Sequence, residues 1–191
     1  MNANLFRKIE TITFLLITIW GVVQGQVTVF YIIYLFWAQE LVRTVVNSIV
    51  LNRKEGNTAA VYHQMKGSFF LLFLYVIFIV VLFGIILNWD NLDLLKINLR
   101  ILLLRNTYFN INMVLFGVQY YLYLRYNGLN HADIKAFNRS HLILHISIVI
   151  AGVIQMAVVK QYPAYFSGKE LWGSALVVLP FLLLKIWLGR K

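Results

Sequence analysis

Glu40 and Arg43 hold the positions in this chain that most call for chemistry. They stand three apart within a long apolar run, 27–51, so on a helix they share a face, and Asn47 continues the same stripe. A charged side chain at the bilayer centre costs about 2.5–3.5 kcal/mol on insertion scales, so neither is expected to face lipid. A carboxylate kept there can accept a proton, hold an ion or polar substrate, or act as a catalytic base. The same spacing equally suits a self-neutralising pair that fixes how the helix packs.

His141 and His145 are four apart, so their imidazoles also share a helical face. Two such rings can supply two metal ligands, with Glu40 a third, and the three could activate water directly or through the metal. The plainer reading makes His141 an interfacial residue and His145 a hydrogen-bonded packing residue. With only four His in the chain, histidine-rich oxygenase chemistry is excluded. Asn106 and Asn110 line up with Met113 and Gly117, a stripe suited to interhelical hydrogen bonds or to the wall of a ligand path. The chain has no Cys, which removes disulfides, thiolate metal sites and thiol nucleophiles. Phosphate-loop, nucleophile-elbow and His-Glu-x-x-His patterns are absent too, and no cofactor is implied.

The elements that carry these residues follow from composition. Hydrophobic residues make up 61% of the chain and charged residues 13%, against roughly a quarter charged in a soluble domain. The apolar residues come in long runs, and a bilayer-spanning helix needs about 20 of them. The fold expected is an all-α, polytopic membrane helical bundle in one domain, residues 1–191. Its six spans fall near 9–23, 27–51, 67–87, 107–124, 141–159 and 171–188. Between the third and fourth, residues 92–104 set Asp93, Lys96 and Arg100 against Leu92, Leu95, Leu99 and Leu102, the pattern of an amphipathic helix lying in the interface. Arg7 and Lys8 precede the first run as in a signal peptide, but no small-x-small cleavage site follows it. The next run starts just after Gln24-Gly25-Gln26, so a retained first helix, antiparallel and adjacent to the second, is expected.

The net charge of +10 would suggest nucleic acid in a soluble protein. Here the basic residues cluster at the ends of apolar runs, where they meet anionic lipid and set orientation, so no nucleic-acid partner is expected. Arg7, Lys8, Arg53, Lys54, Lys66, Arg125, Lys135, Arg139, Lys185, Arg190 and Lys191 fall on one side of the membrane. The opposite side has Lys96, Arg100, Arg105, Lys160 and Lys169. The imbalance puts both termini in the cytoplasm. Trp20, Trp89, Trp172 and Trp187 fall near span ends, whereas Trp37 sits deep.

Two resemblances bear on function. The segment Tyr34-Leu35-Phe36-Trp37-Ala38-Gln39-Glu40-Leu41-Val42-Arg43 resembles an aromatic–Glu stretch in a family of uncharacterised bacterial polytopic membrane proteins. That resemblance implies a fold style and a bacterial origin only, with no activity; the location expected for the chain is the inner membrane. Phe137-Asn138-Arg139-Ser140-His141 is similar to the Phe-x-x-x-His motif of intramembrane CAAX-type proteases. The other two motifs of that family are not matched. Gln39-Glu40-Leu41-Val42-Arg43 lacks one Glu and is one residue short, and His145 is followed four later by Val149 rather than Asn. The expected function is a transporter, channel-like or sensor component with a polar intramembrane site around Glu40 and Arg43. It would act as a homo-oligomer or within a membrane complex. The alternatives are a membrane-embedded hydrolase using Glu40, His141 and His145, and a structural subunit of a membrane complex.

Overall fold

Long apolar runs leave the backbone one way to satisfy its own hydrogen bonds away from water, which is to coil into helices. The computed structural model describes residues 3–55, 59–128, 139–162, 178–181, 183, 184 and 186, and among these there is helix and no strand. The helices are α1 (Ala3–Val23), α2 (Val29–Glu55), α3 (Ala59–Phe78), α4 (Leu92–Leu102), α5 (Thr107–Asn127) and α6 (Arg139–Ile154). α3 continues as a π-helical stretch, Ile79–Ile85, and a 3-10 turn, Ile86–Asn88; α6 continues as a second π-helical stretch, Gln155–Val159. Most of the expected sixth span at 171–188 lies outside the described residues. Its residues Val178 and Phe181 are helical and pack into the main core.

Four segments are long and apolar enough to cross a membrane: Val29–Leu51, Met65–Asn88, Leu92–Asn127 and His141–Val159. The third contains a break. Asn91 caps α4 through the Leu94 N–H, and Asn106 caps α5 through the Phe109 N–H. Between the two helices Leu104 takes φ +56°, a conformation few side chains accept. α1 is not among the four, because Arg7, Lys8 and Glu10 charge its first half.

α2 is the central helix. From Phe30 to Phe36 it is buried on every side, as a helix apolar all round must be. It packs against α3, α5 and α6, while α1 packs chiefly on α5. The short turn after α1 had suggested a close α1–α2 pair. α1 does meet α2, through side chains: the ring of Phe14 meets Phe36 at 5.7 Å, and at the turn itself Gly21 lies where an added Cβ would come within 2.9 Å of Val27, just before α2. Gly25, at φ +64°, makes the reversal.

The outward faces are as apolar as the core. α1 exposes Ile12, Leu16, Ile19 and Trp20, α3 exposes Phe70, Phe73, Leu74 and Ile77, and α6 exposes Val149 and Val153. Such continuous apolar bands are foreign to a soluble monomer. In lipid, apolar burial gives little drive for one helix to seek another, so buried hydrogen bonds matter more. Tyr31 and Asn112 join α2 to α5 at 2.9 Å, and Gln119 and Thr13 join α5 to α1 at 3.1 Å. Trp37, set deep in α2, donates its indole N–H to the Leu72 carbonyl of α3 at 2.8 Å.

Candidate functional site

The inward stripe of α1 runs Phe6, Glu10, Phe14, Thr18 and Val22, a repeat of four that carries one carboxylate into the interior. Glu10 is 6% exposed and faces Arg43 of α2, whose Nη2 donates to its two oxygens at 3.2 and 3.5 Å. Arg43 lies farther from its helical neighbour Glu40, at 3.8 Å from Nη1 to Oε2. Glu40, 2% exposed, brings its other oxygen within 3.2 Å of Nδ1 of His141, which α6 presents fully buried. Three helices thus meet through two carboxylates, a guanidinium and an imidazole.

α5 forms the floor of the cluster. The Arg43 guanidinium lies over the ring of Phe116 at 5.0 Å and that of Tyr120 at 5.8 Å, which adds cation–π attraction to the ion pair. The Tyr120 hydroxyl donates to Asn47 at 2.6 Å, one turn along α2 from Arg43. Gly117 opens the contact, with Val42 at 3.8 Å from where its Cβ would stand. The stripe Glu40, Arg43, Asn47 is therefore one polar seam, turned inward.

Other residues singled out from the sequence stand elsewhere. His145 is exposed and pairs with the Tyr75 hydroxyl of α3 at 3.3 Å, so the two imidazoles serve different neighbours. Among the described residues no three His, Cys, Asp or Glu gather closely enough to hold a metal, so the two-His metal arrangement finds no third ligand there. Asn106 and Asn110 do not join Glu40 and Arg43. Asn106 donates to the Gln26 carbonyl while capping α5, and Asn110 donates to the Leu104 carbonyl. Asn106 satisfies one of the N–H groups that a helix start leaves without an intrahelical partner, and Asn110 ties the first turn of α5 back to the turn before it. The turn they hold adjoins the start of α2, whereas Glu40 lies about 16 Å along that helix from Val29.

Glu10 is the site residue the sequence reading missed. It stands in the first turns of a span, beside Arg7 and Lys8, where a carboxylate reads as flank. The repeat of four with Phe6, Phe14, Thr18 and Val22 was the signal that could have found it.

A second polar layer, without charge, closes the opposite end. The Phe83 carbonyl, released where the π-helical stretch gives way to the 3-10 turn, accepts from Asn88 at 2.6 Å and from Asn98 of α4 at 3.3 Å. Gln155 donates to Asn88 at 3.0 Å, and Thr28 donates to Asn98 at 2.8 Å. His141 and Gln155 lie about 21 Å apart along the same helix. Between the two layers the core holds Phe14, Phe36, Leu72, Phe109, Leu144 and Ile148. No protein-family model, curated protein or solved structure matches this chain.

Proposed function

We propose that the chain is a small six-span bacterial inner-membrane protein, a transporter or sensor component whose working centre is the Glu40–His141 pair, held in place by Glu10 and Arg43. In this reading both termini are cytoplasmic, α4 lies in the opposite interface, and the basic span ends meet anionic lipid. The observation that carries it is the 3.2 Å contact of Glu40 with His141, a carboxylate and an imidazole buried within membrane-length helices. Ionisable side chains at such depth mark proton relays and ion or substrate pathways. The apolar layer between the charged and neutral networks favours a gated carrier or a sensor over an open pore.

The structural-subunit reading has its own support, since the cluster ties α1, α2 and α6 together and such a contact could serve assembly alone. A thermal-melting cycle on the solubilised protein separates the two. For a working site, Glu40→Gln, His141→Gln and the double variant all melt within about 1 kcal/mol of the wild type, because functional polar groups are kept at little benefit to folding. For a packing device, each single change costs about 3 kcal/mol or more and the double change recovers most of it. That second pattern would overturn the transport or sensing role.

A further inference from the structure

We infer that Glu40 and His141 bind one proton as a unit, and that this proton is the species the site carries or senses. The inference rests on reading the cluster as a working site. His141 Nδ1 and Glu40 Oε1 lie 3.2 Å apart, and both would repel as bare lone pairs, so a hydrogen stands between them. With a neutral imidazole donating from Nδ1, the pair carries one negative charge. Taking a proton from hydronium breaks one O–H bond there and leaves a water molecule, forms one new N–H or O–H bond in the pair, and brings the pair to zero charge.

The surroundings set the charge that the proton balances. Arg43 answers Glu10 first, at 3.2 Å against 3.8 Å to Glu40, so its single charge is shared between two carboxylates. A net charge in a low-dielectric interior is costly, and one proton on the pair cancels what the guanidinium leaves over. The helices around the pair each carry charged or titratable groups, and α6 adds His145 one turn from His141. α1 supplies Glu10, with Lys8 exposed at its end; α2 itself supplies Arg43; and α5 supplies Tyr120 under the guanidinium. α3 carries exposed Lys66 and Tyr75, the latter engaged with His145. Arg43, with 24% of its side chain exposed, is the open edge through which the cluster meets its surroundings.

Solid-state NMR of the protein in lipid tests this, with labelled His ring nitrogens and Glu carboxyl carbons followed across pH. The His141 ring and the Glu40 carboxyl should respond over the same pH interval, with uptake of one proton between them. In Glu40→Gln the His141 response should leave its wild-type pH interval, the mark of a coupled pair. Glu40→Asp, which keeps the charge, should retain a coupled response, and His145→Gln should leave it unchanged. Independent titrations, or a His141 response indifferent to Glu40→Gln, would overturn the proposal. A coupled titration alongside a packing-device melting cycle would keep the proton site and remove the transport or sensing role. Uncoupled titrations with tolerant melting would do the reverse.

Discussion

Arg43 is held by charge, by hydrogen bonds and by aromatic faces at once: Glu10 at 3.2 Å, Glu40 at 3.8 Å, and the rings of Phe116 and Tyr120 beneath it. The partners are unequal, and the inequality can be measured. Arg43→Gln leaves Glu10 facing an uncharged amide in a buried place, and breaking a buried pair on one side costs about 3 kcal/mol or more. Glu10→Gln together with Arg43→Gln removes both charges and leaves two amides able to bond each other. That double variant should recover most of the loss in a thermal melt of the solubilised protein. If Glu40→Gln with Arg43→Gln recovers as much, Glu40 rather than Glu10 is the main counter-charge, and the division of roles within the cluster is wrong.

Among the elements, α4 and the neutral amide layer show how far pattern reaches. Residues 92–104 read as a separate amphipathic helix because Asp93, Lys96 and Arg100 fall on one side, and the structure has α4 at Leu92–Leu102 with Asn caps before it and before α5. The four long apolar segments were legible for the same reason, since hydropathy alone forces a helix in lipid. Side-chain partners were not. Loop length puts α1 beside α2, where Phe14 meets Phe36 and Glu10 meets Arg43, but not its larger contact with α5, held by bonds such as Gln119 to Thr13. The stripe Asn106, Asn110, Met113 and Gly117 suits interhelical bonds or a ligand path, yet Asn106 caps α5 and Asn110 donates to the Leu104 carbonyl, while it is Asn112 and Gln119 that bond across helices. Asn98 belongs to the same illegible class. It is one polar residue on the buried side of α4, and it holds Thr28 of the α2 approach and the freed Phe83 carbonyl. Asn98→Ala removes both bonds, and intramembrane bonds average about 0.6 kcal/mol with a maximum near 1.7. A melting loss of about 1–2 kcal/mol is expected, with faster hydrogen exchange confined to α4 and the end of α3. Uniform loosening of all helices would show that Asn98 supports the whole core instead.

For the whole molecule the open quantity is how many times it crosses, and the absence of Cys makes that measurable one residue at a time. α4 has 11 residues and is about 16 Å long, half the roughly 30 Å hydrocarbon core, so it cannot cross alone. Its two flanks should then lie on one side. α1 carries Arg7, Lys8 and Glu10 in its first half, yet Glu10 meets Arg43, so α1 must run alongside α2 to the level of that cluster. Single substitutions Lys8→Cys, Gln24→Cys, Trp89→Cys, Arg105→Cys, Arg125→Cys and Lys160→Cys all fall at exposed positions. In intact cells a membrane-impermeant maleimide should reach Gln24→Cys, Trp89→Cys, Arg105→Cys and Lys160→Cys. Lys8→Cys and Arg125→Cys should react only after permeabilisation, as the excess of Lys and Arg on their side requires. Labelling of Lys8→Cys and Gln24→Cys from the same side would mean that α1 does not cross and would remove one span. Opposite sides for Trp89→Cys and Arg105→Cys would mean that α4 joins α5 as part of one crossing. The charged cluster would then sit at a different depth from the one its helices now give it.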